Sequence, residues 1–183
     1  MPHANILDAS KTALVVVDVQ EAFRSAIGDF ALVASNISRA VRGFSIIGLP
    51  VFVTEQYPEG LGRTAEEVTL ALPEDVKIFE KTAFSAYGSI VESLGSQGIN
   101  QVVLGGFEAH VCVNQTAHDL INNGFDVHLL TDCVASRFEP DSRAGIRKMF
   151  SAGVVPSSVE MALFEIMRDS RHASFKEIQN LIK

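Results

Sequence analysis

Short apolar runs rich in β-branched residues alternate with segments of helical spacing along the chain. That alternation restricts the possible folds more than any other feature. Residues 13–17 (Ala-Leu-Val-Val-Val), 51–54, 76–80, 101–104, 126–130 and 154–155 read as strands. Helical spacing fits 30–47, a short segment around 89–94, a stretch starting near Cys112, then 140–152, 158–167 and 175–182. Strands that are apolar throughout, rather than alternately, are buried on both faces, as in parallel sheets with crossover helices. The expectation is therefore an α/β chain with three layers, α/β/α, built on a doubly wound parallel sheet of about six strands. With 183 residues and neither repeat nor linker, residues 1–183 are expected to form a single domain.

Composition narrows the partners. The net charge is −7, and no dense run of Lys or Arg occurs, so nucleic acid and anionic membrane are not expected partners. No apolar stretch approaches the ~20 residues of a spanning helix, and Met1 to Asn5 lacks the charged and apolar regions of a signal peptide. A cytoplasmic protein is expected. Two cysteines, Cys112 and Cys133, allow at most one intrachain disulfide and read better as reduced thiols.

In open α/β sheets, ligands bind beyond the carboxyl ends of the strands, where strand order reverses. The polar residues expected at those ends are Asp18 and Gln20, Glu55 and Gln56, Lys81, then Glu108, His110 and Cys112, and finally Asp132 and Cys133. Cys112 follows Gly105-Gly106 at the start of a helix, where free N–H groups and the helix dipole favour a thiolate. A carboxylate such as Asp18 can serve a thiol as base, and the ammonium of Lys81 can lower the thiol's pKa. Each residue also has a plainer reading. Asp18 can cap a turn, Lys81 can be a solvated lysine, and Cys112 can be a small buried hydrophobe. Cys133, beside Val134 and Ala135, reads as packing. The five histidines have no ligand spacing, and Gly105-Gly106 is not a dinucleotide fingerprint, so neither metal nor nucleotide cofactor is expected.

Three dispersed segments sharpen this reading. Asp18-Val19-Gln20-Glu21-Ala22-Phe23-Arg24, Lys81-Thr82-Ala83-Phe84-Ser85-Ala86 and Gly106-Phe107-Glu108-Ala109-His110-Val111-Cys112-Val113 stand in one order. Together they resemble the isochorismatase-like cysteine hydrolase superfamily, across essentially the whole chain. Val53-Thr54-Glu55-Gln56-Tyr57-Pro58 and the ending Phe175 to Lys183 resemble its isochorismatase domain-containing protein branch. The resemblance implies a Rossmann-like fold and an Asp–Lys–Cys triad in Asp18, Lys81 and Cys112. It also implies a cis bond between Phe107 and Glu108, with an oxyanion hole made by the Glu108 and Cys112 N–H groups.

Departures from the superfamily pattern narrow the chemistry. Nicotinamidases carry an Asp-x-His metal motif after the second strand; Thr54 to Gly60 here contains no histidine, so no metal is expected. True isochorismatases cleave a vinyl ether without a cysteine nucleophile, whereas Cys112 is present. The expected activity is cofactor-free hydrolysis of an amide, carbamoyl or ureido C–N bond in a small molecule. Phe23, Tyr57, Phe84 and Phe107 are candidate pocket walls, and Gln20 and Gln56 candidate partners for a polar head group. The alternative is a non-catalytic or thiol-sensing protein on the same fold, the latter requiring the two sulfurs to meet. A homo-oligomer, dimer or higher, is expected.

Overall fold

Residues that cannot meet water on either side set the frame. All six residues of β1 (Thr12–Val17) and all seven of β4 (Gln101–Phe107) are buried. The computed structural model describes residue 3 and residues 5–183. Met1, Pro2 and Ala4, on which the signal-peptide expectation partly rests, lie outside the described residues. After β1 come α1 (Phe30–Ile47), β2 (Val51–Gln56), two single-turn helices α2 (Pro58–Leu61) and α3 (Glu66–Thr69), and β3 (Ile78–Lys81). Then follow α4 (Tyr87–Ser96), β4, α5 (Cys112–Asn122), β5 (Asp126–Ala135) and α6 (Glu139–Ser151). The chain closes with β6 (Val155–Ser157), α7 (Val159–Met167) and α8 (Phe175–Ile182).

The strands form one parallel sheet in the order β3-β2-β1-β4-β5-β6. The order reverses between β1 and β4, so a crevice opens beyond their carboxyl ends. Two apolar clusters cover the two faces. One contains Leu14, Val16, Val103 and Leu130 with α1, α7 and α8. The other contains Ala13, Val15, Val102 and Leu104 with α4, α5 and Met149 of α6. Each buried Val, Leu or Ile contributes about 1.5–3 kcal/mol.

The longest helix shows how local sequence sets the layers. In α1 the buried positions Phe30, Val33, Ala34, Ile37, Val41 and Phe44 recur at three- and four-residue spacing. Gly48 ends the helix at φ +83°, its N–H bonding Ser45 O while the Leu49 N–H bonds Phe44 O. That paired closure needs a left-handed residue, which glycine adopts without strain.

Two segments depart from expectation. β3 begins at Ile78, because Val76 N–H bonds Pro73 O in a preceding turn. β5 runs on to Ala135, so Asp132 and Cys133 lie within it rather than after it. The register against β4 jumps from Leu104↔Leu129 to Gly106↔Val134, and the extra residues of β5 are taken up in that irregularity. Among the described residues no helix is long and apolar enough to cross a membrane.

Candidate active site

Three strand ends carry the expected residues at and beside the point where the order reverses. Asp18 follows β1, Lys81 is the last residue of β3, and Cys112 is the first residue of α5, just beyond β4. Register brings them level, with Val17 opposite both Thr54 and Gly106, and Gln56 opposite Lys81. The approach of β4 to β1 depends on glycine. A Cβ on Gly106, at φ +133°, would lie 2.0 Å from the carbonyl oxygen of Val17. Asp18 itself has φ +53°, in the left-handed region that Asp tolerates better than most side chains. The backbone there is held by Asp18 N–H to Thr54 O and Gln20 N–H to Asp18 O.

The Asp18–Lys81 ion pair is buried, each side chain 1% exposed, with Nζ 2.6 Å from Oδ2. The ammonium also donates towards Gln56 Oε1 at 2.9 Å and the carbonyls of Ala83 and Phe84 at 3.1 and 2.9 Å. The other carboxylate oxygen, Oδ1, accepts from the Thr54 hydroxyl at 2.7 Å. A buried ion pair survives desolvation only when such further hydrogen bonds complete it.

Cys112 is buried beside this pair, 7% exposed. Its thiol is pushed up to about 12, by burial first and by the negative charge of Asp18 second, against the opposing pull of Lys81. The expectation of a resting thiolate is thereby corrected. A helix N-terminus contributes only about 0.3–2 kcal/mol, which desolvation of a buried anion exceeds. Burial thus holds the Cys112 thiol protonated, with the Asp18 carboxylate beside it.

The Phe107–Glu108 peptide is cis. Among the described residues the N–H groups of Ala109, Val111 and Val113 are bonded, while those of Glu108 and Cys112 have no acceptor. The Glu108 side chain is held aside by the N–H and Nε of Arg137, at 3.2 and 2.9 Å.

The other expected contacts divide. Tyr57 and Phe84 are exposed at the rim, and Tyr57 shares a pocket of about 510 Å³ with Lys81, Thr82, Ala83, Gly88 and Ser89. Phe23 is half-buried, its ring edge-on to Phe107. Gln20 and Phe107 are not in substrate-contacting positions. Gln20 is wholly buried, its amide giving both protons to the Gln56 and Gly62 carbonyls and accepting from the Gln56 N–H. Phe107 is wholly buried in the α1-side cluster, 5.3 Å from the Phe30 ring. Gln56 turns inward to Lys81 and to Thr82 O.

Of two buried polar side chains of β2, sequence reading named Glu55 as a strand-end residue and passed over Thr54. Thr54 braces Asp18, and Glu55 holds Thr64 through its N–H and hydroxyl, at 2.6 and 2.7 Å. The one available signal was a Thr-Glu pair closing an apolar strand. The two sulfurs do not meet, since Cys112 and Cys133 are free thiols in the clusters on opposite faces of the sheet. Among the described residues no three His, Cys, Asp or Glu side chains group as a metal site.

Residues 12–161 match the isochorismatase domain. The chain belongs to the isochorismatase family. Within that family it is 38% identical over 179 residues to isochorismatase domain-containing protein 1 of Danio rerio, covering 97% of this chain and 62% of that protein. It thus spans less than two thirds of that relative. Isochorismatase domain-containing protein 2 of the same fish is 38% identical, with 96% of this chain and 89% of that protein covered. A solved structure described as the MAR1 ribonuclease of Caenorhabditis elegans superposes with a TM-score of 0.93 at 37% identity, covering 97% of this chain and 92% of that one.

Proposed function

We propose that this isochorismatase-family chain is a hydrolase of small amide, carbamoyl or ureido C–N bonds, using Asp18, Lys81 and Cys112 without a cofactor. The observation that carries this reading is the buried Asp18–Lys81 pair beside a protonated, buried thiol. Held between the Lys81 ammonium and the Thr54 hydroxyl, the Asp18 carboxylate is suitably placed to take the thiol proton. As a substrate carbonyl approaches, Cys112 Sγ attacks its carbon while the thiol proton moves to Asp18. The Glu108 and Cys112 N–H groups donate to the developing oxyanion, and Lys81 steadies the carboxylate through both protonation states. Asp18 then hands the proton to the departing nitrogen as the C–N bond breaks, leaving a thioester. Water, deprotonated by Asp18, cleaves the thioester to release the acid and restore the thiol.

A small uncharged substrate fits better than RNA. The chain carries a net charge of −7, and the ammonium nearest the sulfur is already surrounded by four acceptors. The same reading includes a homo-oligomer, in keeping with exposed Tyr57, Phe84 and Phe138. The test is ammonia release from a panel of primary amides, carbamoyl compounds and ureas. Turnover is expected for at least one, with loss of at least ~1,000-fold in Cys112→Ala. Activity unchanged in Cys112→Ala overturns the mechanism.

A further inference from the structure

The strand between the two charged residues carries a side chain for each of them. Side chains alternate along a strand, so Thr54 and Gln56 of β2 share one face. The register sets Thr54 opposite Val17, one residue before Asp18, and Gln56 opposite Lys81. Thr54 is wholly buried and donates to Asp18 Oδ1 at 2.7 Å. Gln56 accepts from Lys81 Nζ at 2.9 Å, its own backbone N–H and carbonyl pinned by the buried amide of Gln20.

The two braces are unequal. An ammonium has three protons, and Lys81 has four acceptors around it, so without Gln56 every proton still has a partner. Asp18 Oδ1 has Thr54 as its one donor among the described residues. Without that hydroxyl the carboxylate loses half of its fixed contacts, and its plane is free to turn about a broad terminal torsion. The ionisable groups facing it are Lys81 from β3 and Cys112 from α5, with Glu108 from the β4–α5 turn also acting on the thiol.

We propose that Thr54 is a positioning residue for the hydrolysis: its hydroxyl orients the Asp18 carboxylate towards the Cys112 thiol, with Gln56 serving Lys81 in a lesser role. This rests on Asp18 acting as the base. A plain strand residue would need only the branched shape of Thr54, whereas a positioning residue needs its hydroxyl. Valine keeps the shape and removes the hydroxyl; serine does the reverse.

The probe is p-nitrophenyl acetate, whose p-nitrophenolate burst reports acylation of Cys112, with the acyl group located by peptide mass spectrometry. In Thr54→Val the acylation rate constant is expected to fall roughly tenfold, the worth of one hydrogen bond to a charged group. Thr54→Ser should return to within about threefold of wild type, and Gln56→Leu should lose less than Thr54→Val. Should Thr54→Val fail to fold by circular dichroism, Thr54→Ala supplies the same comparison. A wild-type rate in Thr54→Val, or a serine variant no better than valine, overturns the inference alone. Wild-type protein that is not acylated at Cys112 overturns the reading of Asp18 as base, and the inference with it.

Discussion

Cys112 and Cys133 make a natural pair for comparison. Both are buried, both lie beside an aspartate, and in both burial raises the thiol above its ordinary value of 9.0. Yet Asp132, beside Cys133, is committed to α7, where its carboxylate accepts the Val159 N–H at 3.2 Å. Asp18 has no helix to cap. It faces a cation, a hydroxyl and a thiol at the open end of the sheet. Among the described residues the N–H groups of Glu108 and of Cys112 itself also lack acceptors. On the proposed reading, the chemistry at the strand ends distinguishes two sulfurs that are both buried.

The largest expected effect comes from breaking the ion pair that distinguishes the two sulfurs. Lys81→Met strands a buried carboxylate and should cost about 3–5 kcal/mol, lowering the thermal midpoint by roughly 10 °C. The double variant Asp18→Asn with Lys81→Met should regain most of that stability and none of the activity. A double variant as unstable as the single would mean that the pair holds the fold together by more than mutual compensation. Scanning calorimetry and the amide panel read the two outcomes separately.

A smaller effect separates nucleophile from base. With its thiol near 12, Cys112 should be alkylated by iodoacetamide at a rate that climbs from pH 7 to 10 without a plateau. Cys133, wholly buried and also raised by burial, should react more slowly at every pH. Asp18→Asn removes the charge that raises the Cys112 thiol, so alkylation should speed up, by roughly tenfold or less, while hydrolysis is lost. A plateau at neutral pH in wild type would show a thiolate already formed and would remove the need for a base.

The smallest effect tests the face of the sheet away from the site. His128 of β5 is buried with Nε2 lacking a partner, and burial lowers its pKa from 6.5. The unfolded chain therefore binds the proton first, and stability should fall as pH drops below about 6.5. His128→Leu should flatten the stability profile between pH 7 and 5 by about 1 kcal/mol in urea titrations. A profile unchanged by the substitution would move the acid sensitivity to another group.

Much of the frame was legible in advance because it depends on local pattern. The 30–47 helix and the 175–182 helix were bounded correctly, since helical spacing and the Gly48-Leu49-Pro50 stop are short-range signals. β3 and β5 were misjudged at their ends, because a turn at Pro73 and a register slip against β4 override the apolar pattern. The roles expected for Gln20, Gln56 and Phe107 shifted for a different reason. Whether a glutamine meets a substrate or a carbonyl depends on residues far away in sequence, here Gly62 and Lys81.

The sequence by itself determined the parallel sheet and the family, because alternating apolar segments and ordered motifs are properties of the chain. Only the tertiary structure decided that the Cys112 thiol rests protonated and that Thr54 stands behind Asp18. Both follow from burial and from a contact between residues 36 positions apart, and neither has a local signature.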